Sequence, residues 1–164
     1  MQRIRSPVQV EPYEPSRLDA VIRLSLRAWA PVFESLQKLM DPNVYRILHP
    51  DWRVSQRKAV EDVCSAVDAN VWVAVEGDSV VGFVSVKLHS ADLGEIYMIA
   101  VDPDSQRRGI GTELAQYALA WMKNAGISAA MIDTGGDPGH APARRTYERM
   151  GFRELPIARY FKKL

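Results

Sequence analysis

The sequence predicts a single α/β domain built around a mixed β-sheet. Three observations carry that expectation. "EIYMIAV", Glu95 to Val101, is a nearly continuous apolar run, the pattern of a central strand covered on both faces. "VWVAVEGDSVVGFVSVKLHS" holds two β-rich runs around a Glu76-Gly77-Asp78-Ser79 turn, a hairpin signal. Segments of helical periodicity lie before and after these runs, as an α/β layering requires.

Taken in order, Val8 to Tyr13 reads as a first strand. Leu18, Val21, Ile22, Ser25, Leu26 and Trp29 fall at helical spacing, with Pro15 and Ser16 at the start. Pro31 is expected to interrupt that helix, leaving Val32 to Met40 as a short second piece. Asp41 to Asp51 holds two prolines and reads as a loop. Val54 to Val67 is a further helix with Val60, Val63, Cys64 and Val67 on one stripe. The hairpin and the apolar strand follow. Ile110, Leu114, Tyr117, Ala118, Trp121, Met122 and Ala125 then mark an amphipathic helix closed by Gly126. "ISAAMIDT" is another strand, and Pro142 and Gly151 bracket a short helix. "FREL" and "ARYFKKL" read as last strands.

At 164 residues the chain has the size of one ordinary domain, residues 1–164. With 21 basic and 20 acidic residues the net charge is +1, which argues against a broad nucleic-acid surface. Cys64 is the only cysteine, so no intrachain disulfide forms. No segment has the roughly 18 consecutive apolar residues of a membrane span. "MQRIRSPVQV" lacks the apolar run of a signal peptide, and a cytoplasmic location is expected. His49, His89 and His140 lack metal-ligand spacing, so no metal is expected.

Gly109 and Gly111 stand where the strongest helical pattern opens. Glycine costs roughly 1 kcal/mol relative to alanine in a helix interior, so bare backbone has a use there. A helix N-terminus presents unpaired N–H groups and partial positive charge, which together bind phosphate. Arg107 and Arg108 add positive charge beside the turn. The spacing Gln106-x-x-Gly109-x-Gly111 differs from the Walker and Rossmann patterns. A helix start packed tightly on a strand is the alternative.

"EIYMIAVDPDSQRRGIGTELAQYAL" together with "APARRTYERMGF" resembles the GNAT superfamily of acyl-CoA-dependent N-acetyltransferases. The resemblance covers about the last hundred residues. It implies a mostly antiparallel sheet splayed between two strands and flanked by helices on both faces. It implies acetyl-CoA as cosubstrate, with residues 93–164 mainly on its side and residues 15–67 mainly on the acceptor's. The backbone at Gln106, Arg107, Arg108, Gly109, Ile110, Gly111 and Thr112 would cradle the pyrophosphate. Main-chain groups of Ile99 and Val101 would bond pantetheine, and the Ile99 N–H would polarise the thioester carbonyl. Relatives pair through their last strands, so a homodimer is compatible with it.

Acyl transfer to an amine needs a proton acceptor, a donor to the thioester oxygen and a proton for the thiolate. Glu95 opens the most apolar strand; it is either a base raised toward neutrality by partial burial or a strand-end carboxylate facing solvent. Tyr147 matches the family's acid, with a packed core tyrosine as the alternative. His140 stands where many members carry asparagine. It could make the pantetheine contact, act as base, or only cap the helix. Arg144 could reach coenzyme phosphate or face solvent. Trp29, Phe33 and Trp52, with Pro31 and His49, cluster around the irregular segment that walls the acceptor pocket in the family; they could bind an amine or seal the core. Glu34, Asp41 and Asp51 could supply negative charge for an ammonium. No cysteine or serine constellation supports a covalent intermediate. The functions that follow are an N-acetyltransferase acting on a small primary amine, a protein N-acetyltransferase, or a non-catalytic acyl-CoA sensor.

Overall fold

A computed structural model describes residues 7–164. Five strands form one sheet in the order β1-β2-β3-β4-β5: Val8–Pro12, Asn70–Glu76, Ser79–Leu88, Leu93–Val101 and Ala129–Met131. The first four are antiparallel, and β5 runs parallel to β4. Three helices follow β1: α1 (Leu18–Leu39), α2 (Pro42–Leu48) and α3 (Trp52–Ser65). α4 (Ile110–Asn124) connects β4 to β5, and α5 (Ala141–Arg149) comes last.

The sheet is covered on both faces, which is why its strands are buried with little alternation. On one face Ile110, Leu114, Ala118 and Met122 of α4 meet Trp72, Val84, Val86 and Ile96. On the other, Val21, Ile22 and Leu24 of α1 and Val60 and Cys64 of α3 meet Val71, Val73, Phe83 and Ala100. Gly82 lies under α4: a Cβ there would stand 2.9 Å from Leu114 Cδ1 and 3.0 Å from the Ala100 carbonyl.

β4 and β5 pair only at Leu93–Glu95 with Ala129–Met131. Beyond Glu95, β4 continues to Val101 against β3 alone. The expected splay is therefore present, between these two strands.

Val67, expected on the buried stripe, lies exposed beyond the end of α3, and the strand expected from "ISAAMIDT" is only Ala129–Met131; three larger expectations also differ from the structure. α1 continues through Pro31, which is exposed on the helix surface. An interior proline costs about 3 kcal/mol, but burying Val21, Ile22 and Leu24 stabilises by about 2 kcal/mol each. Residues 42–48 are helical rather than loop. Pro42 stands at the first turn, where proline is tolerated, and the Asp41 carboxylate accepts from the N–H groups of Asn43 (2.8 Å) and Val44 (3.2 Å). Finally, residues 152–164 form no strand. β5 is only three residues long, and the apolar side chains of Leu155, Ile157 and Tyr160 stand in solvent with no ladder partner. No described helix is long and apolar enough to cross a membrane.

Candidate active site

The turn after β4 is rigidly built. The Asp102 carboxylate accepts from the Asp104 N–H (3.0 Å), and Gln106 Nε2 donates to the Val101 carbonyl (3.0 Å). Arg27 of α1 donates to Asp102 (2.7 Å) and to Asp104 (2.9 Å). Arg108 pairs with Glu76 on the hairpin (2.6 Å). Arg107 has φ +60°, the left-handed region that costs a non-glycine residue about 1 kcal/mol or more. Gly109 follows at φ +82° as the N-cap of α4. No side chain caps this helix, so the N–H groups of its first turn have no partner in the helix itself. A Cβ at Gly109 would meet nothing within 4 Å, and one at Gly111 only Val101 Cγ2 at 3.6 Å. The concave side of the turn is open backbone.

The alternation of β4 decides which amides face the splay. The Met98 N–H donates to the buried Ser85 Oγ (3.1 Å), and the Asp102 N–H donates to the Val81 carbonyl (2.8 Å), both on β3. Ile99 and Val101 alternate with these and turn their N–H groups the other way, toward the gap left by β5. A bulge precedes them: Ser85 pairs with Met98 and Val86 with Ile96, so Tyr97 has no opposite residue.

Glu95 is buried on β4, opposite Lys87 and beside Met131. Its Oε2 lies 2.6 Å from His89 Nε2. Sequence reasoning missed His89 as a partner. The signal available was a histidine and a glutamate on the two arms of one tight turn, "HSADLGE". Lys87 is occupied elsewhere, its ammonium lying 5.3 Å from the Tyr97 ring centre. A cavity of about 430 Å³ opens next to Tyr97 and Lys87, closed behind by Ala59 and Val63 of α3.

The segment between β5 and α5 forms a second polar cluster. Asp137 Oδ1 meets His140 Nδ1, and Asp137 Oδ2 accepts from the Gly139 N–H (2.9 Å). The Asp137 side chain is only 4% exposed. Burial alone pushes its carboxyl up, but hydrogen bonds from His140, Ser35 and its own backbone outweigh burial and hold it below the usual carboxylate range. An ionised carboxylate only accepts, so Nδ1 of the His140 imidazole carries the proton of this bond. Arg144 Nη1 donates to the carbonyls of Gly135 and Asp137 (2.8 Å to the latter) and so clamps this segment. The segment also docks on α1: the Gly139 N–H donates to Ser35 Oγ (3.2 Å), and a Cβ at Gly139 would be 3.0 Å from Val32 Cα.

Tyr147 lies half-buried on α5, its ring edge-on to Phe152 at 6.1 Å. Burial pushes its phenol up to about 12. Phe33 and Trp52 stack at 4.4 Å, with His49 edge-on to Phe33 at 5.3 Å and Arg53 over the Trp52 ring. Trp29 is set against Phe83 of β3 instead, at 6.5 Å. Asp41 and Asp51 serve as helix caps. Cys64 is buried, and burial pushes its thiol up to about 11, which keeps it protonated and unreactive. Among the described residues no group of three or more histidine, cysteine or carboxylate side chains could hold a metal.

The chain is 29% identical over 154 residues to the mycothiol acetyltransferase of Actinosynnema mirum, covering 88% of this chain and 44% of that protein. It is 29% identical over 140 residues to the mycothiol acetyltransferase of Corynebacterium glutamicum, covering 82% and 47%. The chain thus spans less than half the length of these relatives. Among solved structures, an aminoglycoside N-acetyltransferase in complex with CoA superimposes with a TM-score of 0.68 at 16% identity, covering 99% of both chains. The PaiA N-acetyltransferase from Thermoplasma acidophilum, in complex with coenzyme A, gives 0.69 at 14% identity over 93% of both. These two share the fold. The model of the acetyltransferase (GNAT) family matches residues 39–152, from the last turn of α1 to Phe152, and the chain belongs to that family.

Proposed function

We propose that this chain moves an acetyl group from acetyl-CoA to a primary amine of a small molecule, by direct attack in a ternary complex. The observation that carries the reading is the uncapped start of α4 behind Gly109, next to a strand whose Ile99 and Val101 N–H groups face an unfilled gap. A diphosphate fits such a place: open backbone, unpartnered donors and the positive end of a 15-residue helix. The pantetheine arm would then run along β4, and the Ile99 N–H would polarise the thioester carbonyl. The relatives' names point to a small-molecule acceptor.

The remaining roles follow from the side chains. Glu95 takes a proton from the incoming ammonium, and the free amine attacks the carbonyl carbon. The carbon–sulfur bond breaks, Tyr147, protonated throughout the neutral range, gives its proton to the departing thiolate, and the second proton of the attacking nitrogen returns to the phenolate. His140 offers Nε2 to the pantetheine arm or to a bridging water. Phe33 and Trp52 line the acceptor side, with Trp29 behind them, and Arg144 holds the coenzyme-side segment in place rather than reaching phosphate. Residues 15–67 and 93–164 would thus form the two walls of a one-domain enzyme.

Calorimetry with CoA, followed by thiol release from acetyl-CoA across an amine panel, tests the reading. Heat on CoA addition and thiol release with one small amine are the expected results. Binding without release from any amine would make the chain a sensor, and release only with peptides would make it a protein acetyltransferase. Gly109→Val should weaken CoA binding on the order of tenfold, by placing a branched side chain at φ +82° over the anion's approach.

A further inference from the structure

Acetylation of an ammonium sets one proton free per turnover. The nitrogen gives up two protons, and the departing thiolate keeps one of them. On the reading above, on which this inference rests, the other proton is first held by Glu95. The Glu95 side chain is only 10% exposed, so the proton does not simply fall into bulk water. A site that cannot shed it stays protonated and cannot accept the next amine proton.

The geometry points to His89 as the proton exit. Among the described residues, the one hydrogen-bond partner of the Glu95 carboxylate is His89 Nε2, at 2.6 Å. The His89 side chain is 36% exposed, so the imidazole meets both Glu95 and solvent. Its position is fixed by the turn. The His89 N–H donates to the Leu93 carbonyl (2.9 Å), and Ser90 Oγ accepts from the N–H groups of Asp92 and Leu93 (3.2 Å each). The neighbouring cation, Lys87, rests on the Tyr97 ring. Tyr147 holds its own proton for the thiolate, and Cys64 is packed in the opposite core under α3.

The step balances without any further reactant. Protonated Glu95 passes its proton from Oε2 to the free Nε2 of an imidazole whose own proton is on Nδ1, giving carboxylate and imidazolium. The imidazolium gives its Nδ1 proton to water, and exchange with solvent moves the proton left on Nε2 back to Nδ1, which restores the starting pair. His89 touches neither substrate; it acts through Glu95 and resets it.

The test uses His89→Gln, which keeps an amide donor for Glu95 but carries no proton, and His89→Ala, which leaves a space that imidazole fills. Thiol release from acetyl-CoA is measured with spermidine, kanamycin, glucosamine and cysteine methyl ester, with and without imidazole. For the wild type, turnover of the accepted amine should be independent of imidazole. Both variants should keep their Tm and CoA affinity while kcat falls on the order of 10²-fold, the scale of a lost proton-transfer group. Imidazole should return His89→Ala toward the wild-type rate and leave His89→Gln slow. Variants as fast as the wild type, or a slow His89→Ala that imidazole does not restore, would overturn the relay and leave the acetyltransferase reading intact. A wild type that binds CoA but turns over none of the four amines would overturn both.

Discussion

Burial pushes the Tyr147 phenol up to about 12, so it holds its proton at neutral pH, as the proposed acid requires. Tyr147→Phe should lower kcat by about 10²-fold and leave CoA affinity nearly unchanged, read as thiol release against calorimetry. Asp137 carries an expectation about stability. Its folded carboxyl sits below the ordinary 3.8, so the stabilisation it brings is complete above that value and fades as pH falls through it. Asp137→Asn should therefore unfold less steeply with acid than the wild type, as followed by circular dichroism. These side chains were unequally legible in the sequence. Tyr147 and Gly109 lie in short motifs whose neighbours along the chain also define their surroundings. His89 and Asp137 take their partners from the fold, Glu95 across a turn for one and His140 in the segment docked on α1 for the other. Of Arg144 only the charge was visible, which left phosphate and solvent both open; the Gly135 and Asp137 carbonyls it donates to were not visible.

At the scale of elements, α2 depends on its entry. Asp41→Ala removes the acceptor for two N–H groups and should cost about 1 kcal/mol in urea unfolding. The hairpin, β4 and α4 were readable because each has a local cause: a glycine turn, an apolar run, a stripe at helical spacing. The errors share one physical origin, which is packing that sequence neighbours do not report. Pro31 sits on the exposed side of a helix anchored by core residues a turn or two earlier, so its lost hydrogen bond is outweighed. The prolines of residues 41–51 were read as breakers, although Pro42 stands where a helix begins. The last residues alternate like strands, but a strand needs an edge to pair with, and β5 supplies three residues.

The described chain is two apolar cores pressed on one sheet, with the glycine turn before α4 at one end of β4 and the Glu95–His89 pair at the other. Residues beyond Phe152 add little to either core. Replacing Leu155 and Ile157 together by serine should change stability by less than about 0.5 kcal/mol in urea. At the edge of the α1 face stands Arg27, whose guanidinium reaches from α1 to both Asp102 and Asp104 in the turn after β4. That single side chain bolts the helix that would wall the amine to the loop that would seat the nucleotide. Were an acceptor pulling on this helix to change how tightly a nucleotide is held, reciprocity would have the nucleotide change the acceptor's hold by the same factor.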